Sequence, residues 1–397
     1  ACCGSDSVFP PPPITAAPSP APAPCANSTT SAHSPQNHHG HADTSRRRLN
    51  DPGRTISPTH STTAAGIAST TSATPIHSAH PNFLGAMSAP SAPDAVTSTT
   101  MTPMPPTLSD IIEAKREEVA RAKAATPLPE LEGLVAQAEP PRIFFRAVAR
   151  HPNAAHISII AEIKRRSPSA GLIRPEYESE APERPSAPIP GAGGNGNSSG
   201  GFKPETIARA YHTHGAAAIP CLPDEPFFGG RLAYIDRIKR AVRLPVLRKD
   251  FIIDPWQLWE SRAAGADAVL LIAECLKEAE LVDLLILAQQ LQLTTLLEVH
   301  DMDNLLRVRP HIGFPHAGYC LLGINNRDLS TMKVDLAHTL RLVDMVPEHL
   351  NILVSESGIK TNEALLKLRA QGIRIALVGE PLMRQADPGA ALAELLH

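Results

Sequence analysis

The second half of the chain repeats one unit: a short apolar run of strand length ends on polar or ionisable residues, and an amphipathic stretch of helical length follows. The polar residues that end six of these runs lie at 162–164, 248–250, 298, 325–328, 355–358 and 379–380. A chain that alternates strands and helices in this way forms a parallel sheet, and the carboxyl ends of its strands meet at one edge. We therefore expect the polar side chains to collect at that edge.

Eight strand–helix units are predicted from residue 157 onward. The predicted strands are 157–163, 216–222, 245–249, 267–273, 293–298, 319–324, 351–355 and 374–378. The predicted helices are 204–214, 231–241, 255–264, 276–290, 301–309, 335–344, 361–371 and 387–396. Eight units, with no GxGxxG sequence after the first strand, favour a (β/α)8 TIM barrel over an open doubly wound sheet.

Additional helices are predicted ahead of the first strand. Thr107 to Asp110 matches a capping box at the start of an amphipathic helix. A second short helix is predicted around 128–137, and Phe144 and Phe145 begin an apolar stretch that is placed to seal one end of the barrel. The fold class is thus a barrel with extra N-terminal helices.

The composition divides the chain into a leader at 1–106 and a barrel domain at 107–397. The leader consists mainly of Pro, Ser, Thr, Ala and His, and the first lysine of the chain is Lys115. Such a segment carries too little aliphatic surface to offset the entropy of ordering, so we predict a disordered low-complexity leader. Few acids, many hydroxyl residues and an arginine cluster at 46–48 indicate a transit peptide, for a plastid; the alternatives are a nonspecific tail and a cytoplasmic protein.

A long insertion follows the first predicted strand, at about 175–201. Its density of Gly, Pro and Ser predicts a flexible loop beside the catalytic edge. It is interpreted either as a surface insertion or as a lid.

Charge and cysteine usage exclude several classes of protein. The net charge of −3 and the lack of a basic stripe give no electrostatic reason to expect nucleic acid or an anionic membrane as a partner. No apolar run reaches the ~18 residues needed to cross a bilayer, so we expect a soluble protein. The six cysteines lack CxxC spacing, which predicts a reducing compartment and no metal.

Four ionisable residues at strand ends form the main catalytic candidate. Residues two apart in a strand face the same side, so Glu162 and Lys164 both point into the barrel or both away from it. Lys249 and Glu298 occupy equivalent ends of other strands. Two lysines and two glutamates at one mouth are suited to general acid–base catalysis with several proton transfers. Arg248 and Asp250, which flank Lys249, are instead expected to be structural.

The last two strands predict a different binding function. Ser357 and Gly358 follow one strand, and Gly379 and Glu380 follow the next. In barrels, the loops after the seventh and eighth strands commonly bind phosphate through backbone N–H groups, which glycine allows to approach closely. The sequence therefore favours a phosphorylated small molecule as substrate.

Five segments carry a resemblance to a known family. They are IAEIKRRSPS at 160–169, VLRKDF at 246–251, LEVH at 297–300, GINNRDL at 323–329 and VSESG at 354–358. Together they look like indole-3-glycerol phosphate synthase, and the resemblance covers the chain from about Leu108 to the C-terminus. It implies an enzyme of tryptophan biosynthesis that closes the ring of 1-(2-carboxyphenylamino)-1-deoxyribulose 5-phosphate, with loss of CO₂ and water, without a cofactor.

The resemblance also implies roles for single residues. Lys249 is expected to protonate the substrate's ketone oxygen, Lys164 to bind phosphate and assist dehydration, and Glu162 and Glu298 to serve as base and proton partner. Phe228 and Phe251 are expected to flank the aromatic ring. Further substrate contacts are expected from Ser167, Asn325, Arg327, Glu356 and Ser357, and phosphate contacts from Gly358, Gly379 and Glu380. The resemblance also implies association with other enzymes of the pathway.

Some positions depart from the pattern of that family. Pro220 and Pro223 stand where Ser and Thr are usual, Arg231 stands where Ser is common, and Pro381 follows Glu380. Because Pro220 lacks a ladder N–H, it predicts an irregular second strand. Two other functions stay open: another phosphosugar barrel enzyme, such as a phosphoribosylanthranilate isomerase-like protein, and an inactive barrel that serves as a subunit or scaffold.

Overall fold

The structure is a computed structural model that describes residues 106–151, 153, 156–180, 201–329 and 331–397. The predicted disordered leader, except residue 106, therefore lies outside the described residues. The same is true of residues 181–200, which make up most of the predicted insertion.

Eight parallel strands form the predicted barrel. The strands are β1 (Ser158–Ala161), β4 (Ile219–Cys221), β5 (Val246–Arg248), β6 (Ala268–Ile272), β7 (Thr294–Val299), β8 (Cys320–Asn325), β9 (Leu353–Glu356) and β10 (Ile375–Val378). Two further strands, β2 (Arg166–Ser167) and β3 (Gly171–Leu172), form an antiparallel hairpin after β1. Around the barrel the order is β1, β10, β9, β8, β7, β6, β5 and β4, as expected for consecutive strand–helix units.

The predicted helices form with bounds within a few residues of those expected. The helices are α1 (Leu108–Ala125), α2 (Leu128–Gln137), α3 (Phe144–Ala149), α4 (Pro204–Thr213), α5 (Glu225–Phe228), α6 (Ala233–Ala241), α7 (Pro255–Ala263), α8 (Glu278–Gln290), α9 (Met302–Val308), α10 (Ala337–Leu342), α11 (Asn362–Ala370), α12 (Glu380–Met383) and α13 (Pro388–Leu396). Two short helices, α5 and α12, were not predicted. Thr107 forms the predicted capping box, since its hydroxyl accepts a hydrogen bond from Asp110 N–H at 3.3 Å and the Asp110 carboxylate accepts one from Thr107 N–H at 2.9 Å.

The barrel closes between β1 and β4, where the pairing consists of isolated bridges rather than a continuous ladder. Ile163 N–H donates to the Pro220 carbonyl at 2.9 Å, and Ala161 N–H donates to Ala218 at 3.0 Å. On its other side β4 is regular, with Ile219 N–H donating to the Pro245 carbonyl at 3.0 Å. Strand β4 is shorter than the predicted 216–222, as β1 and β5 are shorter than predicted, and Pro220 accepts a hydrogen bond in the ladder without donating one.

The N-terminal helices cover both ends of the barrel. At the amino ends of the strands, Phe144 and Phe145 of α3 are buried, and Phe145 N–H donates to the Thr294 hydroxyl at the start of β7 at 3.3 Å. At the carboxyl ends, Ile111 of α1 lines the central cavity and Lys115 of α1 contacts the loops after β4 and β5. Helix α1 thus packs against the carboxyl ends of the barrel strands.

The two ends of the insertion are held together. The 3₁₀ turn Pro175–Tyr177 buries the Tyr177 ring, whose centroid lies 5.3 Å from that of Phe202 in an edge-on contact. Phe202 N–H donates to the Ser179 carbonyl at 2.8 Å. The described flanks of the insertion therefore belong to the packed barrel.

The larger of two hydrophobic clusters among the described residues runs through the barrel and under its helices. All residues of the barrel strands are buried, as expected for a parallel sheet covered by helices. Cys221 and Cys320 are free and buried in this core, and Cys275 is free and half-buried. Among the described residues, no helix has both the length and the apolar character required to span a bilayer.

Candidate active site

A cavity of about 750 Å³ opens at the carboxyl ends of the barrel strands. Every residue predicted to act on or bind substrate lines it. These residues are Glu162, Lys164, Ser167, Phe228, Lys249, Phe251, Glu298, Asn325, Arg327, Glu356, Ser357, Gly358, Gly379 and Glu380. Parallel strands bring them together because residues far apart in sequence occupy the same strand ends.

The Lys249 ammonium lies between two glutamates at the centre of the cavity. Its Nζ is 3.1 Å from Oε2 of Glu298, at the end of β7, and 3.5 Å from Oε2 of Glu356, at the end of β9. Burial alone would lower the pKa of Lys249, but these carboxylates raise it above its ordinary value. Lys249 is therefore protonated at neutral pH and carries a proton that it can donate.

The two glutamates beside Lys249 have pKa values shifted in opposite directions. Burial favours the neutral form of both, but Lys249 and His300 hold the pKa of Glu298 well below its usual range. Burial and the neighbouring Glu298 charge raise the pKa of Glu356 well above its usual range. These opposite shifts favour an ionised Glu298 beside a protonated Glu356, as expected for close carboxyl groups that cannot both ionise.

Glu162 and Lys164, the ionisable residues predicted at the end of the first strand, contact each other directly. Lys164 Nζ lies 2.6 Å from Oε1 of Glu162, and both side chains face the cavity. Glu162 packs against Gly379, where an added Cβ would lie 2.2 Å from Oε1 of Glu162. Glycine at 379 is therefore required to make room for this carboxylate, a constraint separate from any phosphate contact.

Polar groups after β1 and β8 meet on one side of the cavity. Asn325 Nδ2 donates to Oε1 of Glu298 at 3.3 Å. Arg327 donates through Nη1 to the Met332 carbonyl at 3.1 Å and contacts the Ser169 hydroxyl at 3.4 Å. The Ser167 hydroxyl accepts a hydrogen bond from Ala170 N–H at 3.1 Å, which orders the hairpin loop.

Two phenylalanines form an apolar wall of the cavity. The ring centroids of Phe228 and Phe251 lie 6.4 Å apart, with the ring planes inclined by 36°. Phe228 ends the short helix α5, which Asp224 caps by accepting a hydrogen bond from Phe227 N–H at 2.8 Å. Pro223 therefore does not prevent the loop from presenting Phe228 to the cavity.

The predicted phosphate residues form two turns at the ends of β9 and β10. Ser357 and Gly358 adopt left-handed φ angles of 65° and 82°, and a Cβ at 358 would lie 2.7 Å from Cγ1 of Val334. Asn326 Nδ2 donates to the Ser357 carbonyl at 3.1 Å and stabilises the first turn. The Glu380 carboxylate accepts a hydrogen bond from Arg384 Nε at 2.9 Å, and both residues line the cavity.

Arg248 and Asp250, which were expected to be structural, form a buried ion pair. Their side chains pair at 2.9 Å in the interior. Asp250 also binds Lys115 Nζ at 3.0 Å, and Lys115 binds Asp224 at 2.9 Å. This buried ionic cluster joins α1 to the loops that carry Phe228 and Lys249.

Three residues that contact the site, Lys115, His300 and Glu274, are not among the predicted site residues. In the sequence, Lys115 stands out only as the first lysine of the chain, and His300 only as part of the LEVH segment at 297–300. Glu274, in the loop after β6, was not singled out. His300 stands two residues after Glu298, so its position beside the site was the one available signal.

The fold defines a protein of the (β/α)8 barrel class, and its cavity holds clustered lysines and glutamates of the kind suited to acid–base catalysis. The family model for indole-3-glycerol phosphate synthase matches residues 108–185 and 194–395. The chain therefore belongs to the indole-3-glycerol phosphate synthase family.

Curated relatives agree with this assignment. Indole-3-glycerol phosphate synthase of Acidithiobacillus ferrooxidans is 42% identical over 288 residues, which cover 72% of this chain and 97% of that protein. The enzyme of Rhodopirellula baltica is 41% identical, with 73% and 98% covered, and that of Rhodospirillum rubrum is 39% identical with the same coverage. A mutant tryptophan synthase alpha subunit from Pyrococcus furiosus is a distant structural match, 15% identical with a TM-score of 0.39 over 48% of this chain and 91% of that chain.

Proposed function

We propose that this chain is an indole-3-glycerol phosphate synthase, which converts 1-(2-carboxyphenylamino)-1-deoxyribulose 5-phosphate to indole-3-glycerol phosphate, CO₂ and water. Membership of the family supports the overall reaction. The observation that carries the residue assignment is the Lys249 ammonium, 3.1 Å from Glu298 and 3.5 Å from Glu356 inside the cavity.

Ring closure requires an acid at the ketone oxygen of the substrate. The ring carbon that bears the carboxylate attacks the ketone carbon, a C–C bond forms, and the oxygen gains negative charge. Lys249 donates a proton to this oxygen and leaves a hydroxyl group on the new ring. A charged donor in a site shielded from water stabilises such a developing charge strongly.

The later steps release CO₂ and water and require two further proton transfers. The C–CO₂ bond breaks, and its electrons restore the aromatic ring. The hydroxyl group then leaves as water after it gains a proton, while a base removes a proton from the former methylene carbon. Lys164 assists this dehydration, with Glu162 as its proton partner, and the ionised Glu298 is the base.

The remaining cavity residues match the other parts of the substrate. Phe228 and Phe251 flank the aromatic ring, and Ser167, Asn325, Arg327, Glu356 and Ser357 orient the polar chain. Lys164 and the backbone at Gly358, Gly379 and Glu380 hold the phosphate. The left-handed turn at 357–358 and the side-chain pairing of Glu380 with Arg384 support backbone recognition of an anion.

Product formation tests this function directly. The full-length protein is incubated with the carboxyphenylamino substrate, and indole fluorescence and released CO₂ are followed together. The expected result is one CO₂ for each indole formed. Absence of both products refutes the enzyme assignment and favours an inactive scaffold, whereas an isomerised product without CO₂ favours another phosphosugar barrel enzyme.

The proposal extends to location, association and domain organisation. The composition of the leader supports import into a plastid. A fluorescent protein fused behind residues 1–106 should then enter plastids, and a diffuse cytoplasmic signal would contradict import.

The resemblance alone supports association with other tryptophan-pathway enzymes, for which co-purification is the test. The division into a leader at 1–106 and a domain at 107–397 is likewise a prediction.

A further inference from the structure

The Glu274 carboxylate contacts His300 through both of its oxygens. Oε1 of Glu274 accepts a hydrogen bond from His300 N–H at 2.8 Å, and Oε2 lies 3.1 Å from Nδ1 of the ring. Glu274 sits in a 3₁₀ turn after β6, and Arg307 of α9 donates to the Ala273 and Leu276 carbonyls of this turn. The carboxylate is thus attached to an ordered segment and fixes both the backbone and the ring of His300.

The other ring nitrogen of His300 faces Glu298. His300 Nε2 lies 3.2 Å from Oε1 of Glu298, and the His300 side chain is only 6% exposed. Asn325 approaches the same oxygen at 3.3 Å, while Lys249 approaches the second oxygen, Oε2, at 3.1 Å. Three side chains therefore contact Glu298. One of them, His300, is itself bound by Glu274.

The charges around His300 favour an imidazolium ring. Nδ1 of His300 makes a hydrogen-bond contact with Glu274, and Nε2 lies within ion-pair distance of Glu298 without a well-aligned hydrogen bond. Two carboxylates beside one ring favour its charged form. The titratable groups near the ring are Glu274 and Cys275 from the loop after β6, Glu298 from β7, Glu356 from β9 and Lys249 from β5. Burial alone lowers the pKa of His300, but Glu274 and Glu298 raise it to about 10.

We propose that Glu274 and His300 form a positioning relay, a carboxylate–imidazolium pair that fixes Glu298 beside Lys249 and keeps it ionised as a proton acceptor. Neither relay residue needs to contact the reacting atoms, since both act through Glu298. The inference deepens the proposed function and rests on the role of Glu298 in it.

The neighbouring Glu356 explains why such a relay is needed. Glu298 and Glu356 share Lys249, and two close carboxyl groups compete for one proton. The His300 imidazolium contacts Glu298 directly, so it stabilises the negative charge of Glu298 more strongly than that of Glu356. Without the imidazolium, the proton is expected to spread over both glutamates, and Glu298 becomes a poorer acceptor at neutral pH.

The kinetic test compares Glu274→Gln with Glu278→Gln in the full-length protein. Glu278 is a matched control because it also contacts a histidine, with 2.8 Å to His311, but this pair is exposed and does not line the cavity. For Glu274→Gln we expect kcat to fall about ten-fold at neutral pH, and the acid limb of the kcat profile to move up by about one pH unit. The Glu278→Gln profile should superimpose on that of the wild type.

A second readout does not depend on turnover. Histidine side chains labelled with ¹⁵N are titrated by NMR in the full-length wild type, Glu274→Gln and Glu298→Gln, with His300→Gln used to assign the signal. We expect the His300 ring to stay protonated well above pH 7 in the wild type, and to lose its proton at least about one pH unit lower in each variant.

The two readouts separate the inference from the proposed function. An His300 ring that titrates near its ordinary value of 6.5 in the wild type overturns the relay. So does an unchanged kcat profile in Glu274→Gln. If the wild type forms no product, the proposed function fails, and the NMR titration still decides whether the relay exists.

Discussion

Replacing Lys115 by methionine should destabilise the barrel more than any surface change in α1. The Lys115 ammonium is fully buried, 2.9 Å from Asp224 and 3.0 Å from Asp250. Methionine fills much of the volume but leaves these buried carboxylates with less compensating charge. Removing one partner of a buried ionic group costs about 3–5 kcal/mol. A change of 1 kcal/mol lowers Tm by about 2–4 °C in a domain of this size, so we expect a fall of about 10 °C.

The assay is thermal unfolding of the full-length protein followed by circular dichroism. Arg116→Met is the matched control, because Arg116 pairs with Glu113 at 3.3 Å on the exposed face of the same helix. An exposed ion pair contributes no more than about 1 kcal/mol, so this variant should unfold near the wild-type temperature. Equal Tm values for Lys115→Met and Arg116→Met would refute the reasoning, since the buried cluster would then contribute no more than a surface pair.

Three further predictions concern the cavity, the pH dependence of stability and the leader. Gly379→Ala places a methyl group 2.2 Å from Oε1 of Glu162, so turnover should fall at least about ten-fold, whereas Gly133→Ala, which meets nothing within 4 Å, should leave turnover unchanged. Equal activity of the two variants would contradict the packing argument. The pKa of His300 is raised in the folded state from 6.5 to about 10, so its stabilising contribution is complete below pH 6.5 and is lost as the pH rises toward 10. The Tm difference between wild type and His300→Gln should therefore shrink from pH 6 to pH 10; a constant difference would argue against a charged ring. A protein truncated to begin at Pro106 should retain wild-type kcat, and an unfolded product would contradict a leader without a structural role.

The sequence predicted the barrel because each strand and helix is encoded locally. Apolar runs of strand length, Asp254 before Pro255 and the glycines after helices each act over a few residues. Gly215 and Gly265, for example, have the left-handed φ angles of 90° and 86° expected after helices. The alternation of strands and helices, joined by right-handed crossovers, leaves few possible topologies for the sheet.

The candidate site was predictable only where it follows from strand ends. Glu162 and Lys164 share a face because they are two residues apart, and Lys249 reaches Glu298 because their strands end at the same edge. The contact of Glu274 with His300 depends on the conformation of a loop after β6, and no periodic pattern encodes it.

Long-range packing limited the prediction in a second way. Lys115 lies in a helix that precedes the barrel, more than 100 positions away in sequence from Asp224 and Asp250. Amphipathic periodicity assigns a lysine to the exposed face of a helix. Only the docked helix shows that this ammonium is 1% exposed and bound to loops of the catalytic edge.

The most direct test of the central claim compares turnover of Lys249→Met with that of Lys367→Met. Lys367 also pairs with a glutamate, Glu363, at 2.9 Å, but on the exposed surface of α11. Indole-3-glycerol phosphate formation is measured by fluorescence in the full-length proteins. Loss of a general acid costs about 10²–10⁴-fold in rate. We predict a fall of at least about 100-fold in kcat for Lys249→Met and wild-type kcat for Lys367→Met. Equal rates in the two variants would contradict the assignment of Lys249 as the proton donor.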